Sequence, residues 1–159
     1  MSQRLDHLRQ HPELTAKLTE LTLAVKKGAV ERDILSLAEI RASQVNGCAF
    51  CVDMHIKEAT LHGERPLRLH HVAIWRESTL FTDRERAALE WTESVTHLSP
   101  QGVPDAVYAQ AREHFSEREL VDLTYMIMVI NAWNRASIAF RSVPGSADKA
   151  FGLDRAGLA

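Results

Sequence analysis

The only two cysteines in the sequence, Cys48 and Cys51, stand three positions apart, and His55 follows four positions after the second. On a helix, residues with this spacing lie along one face, so the three side chains would form a single stripe. A thiolate attacks peroxides and disulfides, and two adjacent thiols beside a base suit a cycle between dithiol and disulfide. The motif therefore indicates redox chemistry.

A helix that begins at the Asn46-Gly47 turn signal would place both thiols in its first turn. There the unpaired backbone amides and the helix dipole favour a thiolate, and His55 can accept the thiol proton or act as an imidazolium partner. Attack of Cys51 on a hydroperoxide would give a sulfenic acid, and condensation with Cys48 would give a disulfide. The spacing alone leaves open which thiol attacks.

Two other interpretations of the motif stay open. Cysteine is among the most buried residue types, so two thiols in a helical core need no function. Cys48, Cys51 and His55 could also bind zinc, but a structural site needs a fourth ligand, and only His70 and His71 would offer one if they folded close. We predict no metal and no cofactor.

The remaining histidines and the tryptophans carry weaker signals. Five scattered histidines are predicted to lie on the surface: His7, His11, His62, His97 and His114. Three tryptophans are predicted to lie in the core or at an interface, with a substrate pocket as the alternative: Trp75, Trp91 and Trp133.

Length and charge exclude several classes of protein. At 159 residues the chain is long enough for one domain, which we place at 1–159, and a net charge of −2 without a basic, aromatic cluster argues against nucleic acid. The start of the chain lacks the apolar segment of a signal peptide, and the longest apolar stretch, 125–130, is too short to cross a membrane. We therefore predict a cytoplasmic protein, where a close cysteine pair is catalytic or metal-binding rather than a structural crosslink.

Apolar residues recur at helical spacing through most of the chain, and no segment alternates as a β-strand does. The sequence predicts an all-α fold with a core motif region over about 30–115 and capping boxes at Thr82-Glu85 and Ser116-Glu119. A final long helix over about 117–141 is apolar nearly all round, which predicts a central position or burial between subunits of a homo-oligomer. The tail after Pro144-Gly145 is predicted to be loose or to dock on a neighbour.

The stretch from Ile40 to His55, together with the Lys57-Glu58-Ala59 and Gly63-Glu64 segments, resembles the AhpD-like branch of the carboxymuconolactone decarboxylase superfamily. The resemblance continues through 75–78, 81–89 and 130–135 and so covers most of the chain. It implies an all-helical protein that assembles as trimers or as hexamers, with alkylhydroperoxidase activity. It also implies that Cys51 is the peroxidatic thiol, Cys48 the resolving thiol and His55 part of a proton relay.

Two positions depart from the AhpD pattern. Phe50 stands where AhpD has a histidine, and Ser36 stands where AhpD has the glutamate of its relay. Serine cannot perform acid–base chemistry of that kind, so Glu39, one turn further along the preceding helix, is the candidate substitute; a surface or interface salt bridge is its alternative role.

These observations favour a cofactor-free thiol peroxidase that reduces organic hydroperoxides or hydrogen peroxide. The resemblance implies recycling by an external dithiol, either a lipoyl protein or a thioredoxin. A decarboxylase of the carboxymuconolactone type is the first alternative, although that branch does not use a Cys-x-x-Cys pair. A redox sensor or scaffold that forms the same disulfide without turnover is the second.

Overall fold

A computed structural model describes residues 2–158, and the regular elements formed by these residues are helices, beside one isolated bridge between Ser99 and Gly102. The α-helices are α1 (His7–Gln10), α2 (Pro12–Lys26), α3 (Arg32–Asn46), α4 (Ala49–Leu61), α5 (Pro66–His71), α6 (Asp83–Thr96), α7 (Asp105–His114), α8 (Glu117–Phe140) and α9 (Asp148–Phe151). Two 3₁₀ helices span Val72–Glu77 and Leu153–Ala156. The predicted all-α fold is confirmed.

Both predicted capping boxes are present. Thr82 accepts a hydrogen bond from the backbone N–H of Glu85, whose carboxylate accepts one from the backbone N–H of Thr82 in return, and Ser116 and Glu119 repeat the arrangement at the start of α8. Each pair satisfies amides that the helix itself leaves unpaired. The sequence therefore determines where these two long helices begin.

Helix α3 lies at the centre of the fold, against α4, α6 and α8. Residues on several sides of this helix are almost completely buried, including Leu37, Ala38, Ile40 and Ala42. Such burial is typical of a helix that other helices surround. Since α3 ends where the cysteine motif begins, the motif is anchored in the centre of the protein.

Helix α8 buries one side and exposes the other. Leu123, Met126 and Ile127 are fully buried, which confirms the predicted central position. About half of each side chain is exposed at three apolar positions, Val121, Tyr125 and Met128. Burial of this exposed side between subunits stays a prediction. None of the helices formed by residues 2–158 is long and apolar enough to cross a membrane.

The segment after Gly145 is not loose, which corrects one of its two predictions, whereas docking on a neighbour stays a prediction. It forms α9 and the second 3₁₀ helix, which packs against α4 of the same chain and buries Leu153. Asp148 accepts a 2.7 Å hydrogen bond from the buried Lys57 of α4. An ion pair and one apolar side chain therefore attach this segment to α4.

Gly47 makes the turn from α3 to α4. Its φ of +70° lies in the left-handed region, and a methyl group at this position would meet nothing within 4 Å. Gly47→Ala is therefore expected to lower the free energy of unfolding by about 1 kcal/mol through backbone strain alone. Urea denaturation checks this, with Gly47→Asn as the control because asparagine tolerates this conformation better. An alanine variant as stable as the wild type would contradict the account.

Candidate functional site

Cys48 and Cys51 form a disulfide, with their Cα atoms 5.3 Å apart. Cys48 is the N-cap residue of α4, and its sulfur accepts a 3.3 Å hydrogen bond from the backbone N–H of Cys51 in the first turn. Both side chains are buried, at 2% exposure. The turn at Gly47 thus brings both sulfur atoms to a helix start, where the unpaired amides and the helix dipole favour negative charge.

Cys51 lies in the wall of a cavity of about 660 Å³, and Cys48 does not. The wall is mostly apolar, and near the motif it includes Phe50, Met54, Ile130 and Trp133. Phe50, at the position where AhpD has a histidine, contributes to this apolar surface. A cavity of this size is typical of sites for small organic molecules. Of the two cysteines, Cys51 is the one that lines the cavity.

His55 lies in the wall of the same cavity, one turn beyond Cys51 on α4. Its Nδ1 atom is 3.2 Å from Oε2 of Glu58 and 3.7 Å from Oε2 of Glu39. Its Nε2 atom is buried and has no hydrogen-bond partner among residues 2–158. The carboxylates therefore orient the ring through one nitrogen and leave the other without a partner.

Lys26, at the end of α2, carries the charge that balances these carboxylates. Its Nζ atom lies 2.9 Å from Glu58 and 3.2 Å from Glu39. Burial alone would raise the pKa of Glu58, but the contacts with His55 and Lys26 lower it to about 2. Burial alone would lower the pKa of Lys26, yet Glu39 and Glu58 raise it. The cluster therefore holds a lysine cation and an ionised Glu58 beside His55.

Glu39, Glu58 and His55 also have the spacing of a metal site. One ligand atom from each lies within 4.8 Å of the others. Among residues 2–158, this is the only group of three such side chains close enough to hold a metal ion. The ammonium of Lys26 bonds to both carboxylates and already supplies the positive charge that a metal ion would bring. The predicted zinc alternative, which used the two cysteines, is a different set of residues, and those cysteines are disulfide-bonded.

The sequence-based selection of site residues named Glu39 and missed Glu58 and Lys26. Glu39 is 3% exposed and lies beside His55, one turn from the position of the AhpD glutamate. Glu58 stands three residues after His55, so helical spacing alone could have indicated the contact. Lys26 is separated from Glu58 by 32 residues, and only the packing of the helices brings them together.

Comparison with known proteins identifies the family of the chain. Residues 12–94 match the sequence profile of the carboxymuconolactone decarboxylase family. The uncharacterized protein YdfG of Bacillus subtilis is 40% identical over 139 residues, which cover 87% of this chain and 95% of YdfG. The chain belongs to the carboxymuconolactone decarboxylase family.

Solved structures locate the chain within the family. A protein of unknown function from Agrobacterium tumefaciens, described as a candidate AhpD antioxidant-defence protein, is 38% identical, with a TM-score of 0.87 and coverage of 90% of this chain and 98% of that one. The debrominase Bmp8 shares the fold at 19% identity, with a TM-score of 0.79 and coverage of 94% and 80%. The similarity supports the AhpD-like branch of the family.

The structure revises one prediction about the histidines. His7 is half-buried: its two ring nitrogen atoms have no partner among residues 2–158, and it lines the cavity, which the sequence did not predict. His11, His62 and His97 are exposed as predicted, and His114 is half-buried. Trp75 and Trp91 are core residues, whereas Trp133 lines the cavity of this family member.

The lowered pKa of Glu58 predicts how the free energy of unfolding depends on pH in acid. Because the pKa falls from 4.5 to about 2 on folding, this carboxylate stabilises the protein above pH 4.5, and the contribution is lost as the pH falls toward 2. The free energy of unfolding is expected to fall less steeply over this range in Glu58→Gln than in the wild type, as measured by urea denaturation at each pH. Glu20→Gln, which removes an exposed carboxylate paired with Lys17, is the matched control. Parallel curves for wild type and Glu58→Gln would contradict the assignment.

Proposed function

We propose that this protein is a thiol peroxidase that reduces organic hydroperoxides or hydrogen peroxide. One observation carries the proposal: Cys51 and His55 line one apolar cavity, with carboxylates on one ring nitrogen of His55 and no partner on the other. This arrangement supplies a nucleophile, a base and an orienting group, which together activate a thiol. Cys48 supplies the second thiol of the cycle.

In the reduced protein, Nε2 of His55 takes the proton from Cys51, while the Nδ1–H group donates to Glu58. The thiolate sulfur attacks the terminal oxygen of the hydroperoxide, so an S–O bond forms as the O–O bond breaks. The leaving alkoxide takes the proton from His55 and departs as an alcohol. Cys51 is left as a sulfenic acid.

The sulfur of Cys48 then attacks the sulfur of Cys51. An S–S bond forms, the S–O bond breaks, and hydroxide leaves with the proton of Cys48 as water. An external dithiol, a lipoyl protein or a thioredoxin, supplies two electrons and two protons and restores both thiols. The resulting cycle needs no cofactor.

Glu39 has a supporting role in this mechanism. It shares Lys26 with Glu58 and faces the same nitrogen of His55, so it adds negative charge beside the imidazole. We also propose that the chain works as one domain over 1–159, as a cytoplasmic homo-oligomer of trimer or hexamer type. The exposed apolar side of α8 supports an oligomer, because contiguous apolar surface favours association.

Two other functions use the same family fold. A decarboxylase would have no use for Cys51 and Cys48 as a disulfide pair beside a base, which counts against this alternative. A redox sensor would form the disulfide once and not cycle. The presence of a cavity large enough for an organic substrate favours turnover over sensing.

The proposal is tested by following the consumption of cumene hydroperoxide and of hydrogen peroxide with dihydrolipoamide or thioredoxin as the reductant. Continued consumption of many equivalents per protein supports a peroxidase. Consumption of a single equivalent, with rapid formation of the disulfide, would replace the proposal with the sensor. No reaction of either kind would exclude both.

A further inference from the structure

The cavity wall contains two side chains of lysine or arginine, and they differ in how their charge is balanced. Lys26 contacts the carboxylates of Glu39 and Glu58. Arg155, in the second 3₁₀ helix, is exposed and forms no ion pair with any carboxylate of residues 2–158. A charged side chain at the wall of an apolar cavity fixes the orientation of a ligand. Arg155 is therefore the cation of the wall that is available to an anionic group.

Contacts with Gly152 leave the outer nitrogen atoms of Arg155 available. Nε of the arginine donates a 3.0 Å hydrogen bond to the carbonyl of Gly152. The guanidinium also lies close to this glycine, because a Cβ atom added there would stand 3.2 Å from Nη2. Nη1 and Nη2 have no hydrogen-bond partner among residues 2–158. Two parallel N–H groups of a guanidinium match the two oxygen atoms of a carboxylate.

The segment that carries Arg155 is attached to the helix that carries Cys51. The second 3₁₀ helix packs against α4, and its first residue, Leu153, is buried and also lines the cavity. The ion pair between Asp148 and Lys57 holds the preceding turn on the same helix. Since Arg155 and Cys51 lie in one wall that is mostly apolar, a ligand that reaches both must have an apolar body between its two polar ends.

The charges of the wall favour a ligand with a single negative charge. Glu39 and Glu58 already surround the ammonium of Lys26, so this cation attracts no further anion. A second anionic group on the ligand would enter an apolar cavity without a partner, which is costly. One guanidinium therefore indicates one carboxylate.

We propose that Arg155 binds the carboxylate of an amphipathic substrate whose hydroperoxide group reacts at Cys51. The inference rests on the proposed function and narrows its substrate to one class: hydroperoxides with a long apolar body and one carboxylate, as in a peroxidised fatty acid. The apolar body would contact the aliphatic and aromatic part of the wall, which includes Leu23, Met54 and Trp133.

Binding of unreactive amphiphiles to the oxidised protein tests this without any turnover. The probes are decanoate, which is ionised at pH 7, and 1-decanol, which has no charge, both titrated by calorimetry. Arg155→Gln is expected to weaken the binding of decanoate about threefold to fivefold, as the loss of one exposed charge pair predicts, and to leave the binding of 1-decanol unchanged. Arg118→Gln, at an exposed arginine of α8 outside the cavity wall, removes the same charge and should change neither.

The conservative variant and salt give two further measurements. Arg155→Lys keeps the charge but loses the pair of parallel donors, so it should retain part of the affinity for decanoate. Added sodium chloride should weaken the binding of decanoate to the wild type and have little effect on Arg155→Gln, because salt screens an exposed charge pair.

Three results would overturn the inference: equal affinity of the wild type and Arg155→Gln for decanoate, an equal loss in Arg118→Gln, or a loss of 1-decanol binding in Arg155→Gln as large as that of decanoate. The last would give Arg155 a structural role only. A wild-type protein that binds neither probe would overturn it as well. Failure of the peroxidase proposal is a separate result, because the titration uses the disulfide form and needs no reductant.

Discussion

Cys51→Ser is expected to abolish hydroperoxide turnover, a fall of roughly 10³-fold or more, because a serine hydroxyl cannot replace the thiolate as the nucleophile. Cys48→Ser is expected to stop after a single equivalent of hydroperoxide, since the sulfenic acid on Cys51 then has no partner. Serine is a good N-cap residue, so this variant keeps the start of α4 intact. Hydroperoxide consumption and trapping of the sulfenic acid with dimedone measure both effects.

The position of Cys51 in the cavity wall predicts that Cys51, and not Cys48, is the attacking thiol. If Cys48 were the attacking thiol, the sulfenic acid would form in Cys51→Ser and not in Cys48→Ser. That result would contradict the role assigned to each cysteine and would leave the peroxidase itself in place. Turnover that persists in both variants would remove the disulfide cycle altogether.

Lys26→Met is expected to slow the attack on hydroperoxide by about tenfold, because His55 would lose part of its support as a general base. The ammonium contacts both Glu39 and Glu58, so its removal leaves their mutual repulsion beside His55 without a compensating cation. The same change is expected to lower the free energy of unfolding by about 1–3 kcal/mol, because it leaves a buried carboxylate without its partner.

The pH dependence of thiol alkylation in the reduced protein separates these effects. We expect the alkylation profile of Cys51 to move to higher pH in Lys26→Met and to stay near that of the wild type in Lys26→Arg, which keeps the charge. Lys17→Met removes an exposed lysine of the same helix and should change neither the profile nor the stability. An unchanged profile in Lys26→Met would confine Lys26 to a structural role.

Site features that depend on neighbouring residues of one helix could be predicted from the sequence. Contacts between residues of different helices could not, because they depend on how the helices pack. The glycine turn and the spacing of the cysteines predicted the helix start that both sulfur atoms share, because these features act within a few residues. Glu39 was found from a resemblance, and its burial beside His55 agrees with that choice.

Lys26 and His7 could not be found in this way. Each lies on a helix that carries no chemical motif, and only the packing of the helices brings each residue to the cavity wall. The pattern around His7 predicted a surface position and gave no sign that this half-buried residue lines the cavity. The fully buried part of α8 was predictable because an apolar run of that length must be covered on at least one side.

The helices that line the cavity differ in length and therefore in how readily they unfold. One part of its wall belongs to the long helices α4 and α8, and another part belongs to α1 and α9, each only four residues long. A helix of four residues has no cooperativity of its own and is held only by its contacts. The part of the wall formed by α1 and α9 is therefore expected to open by local unfolding more readily than the part formed by α4 and α8.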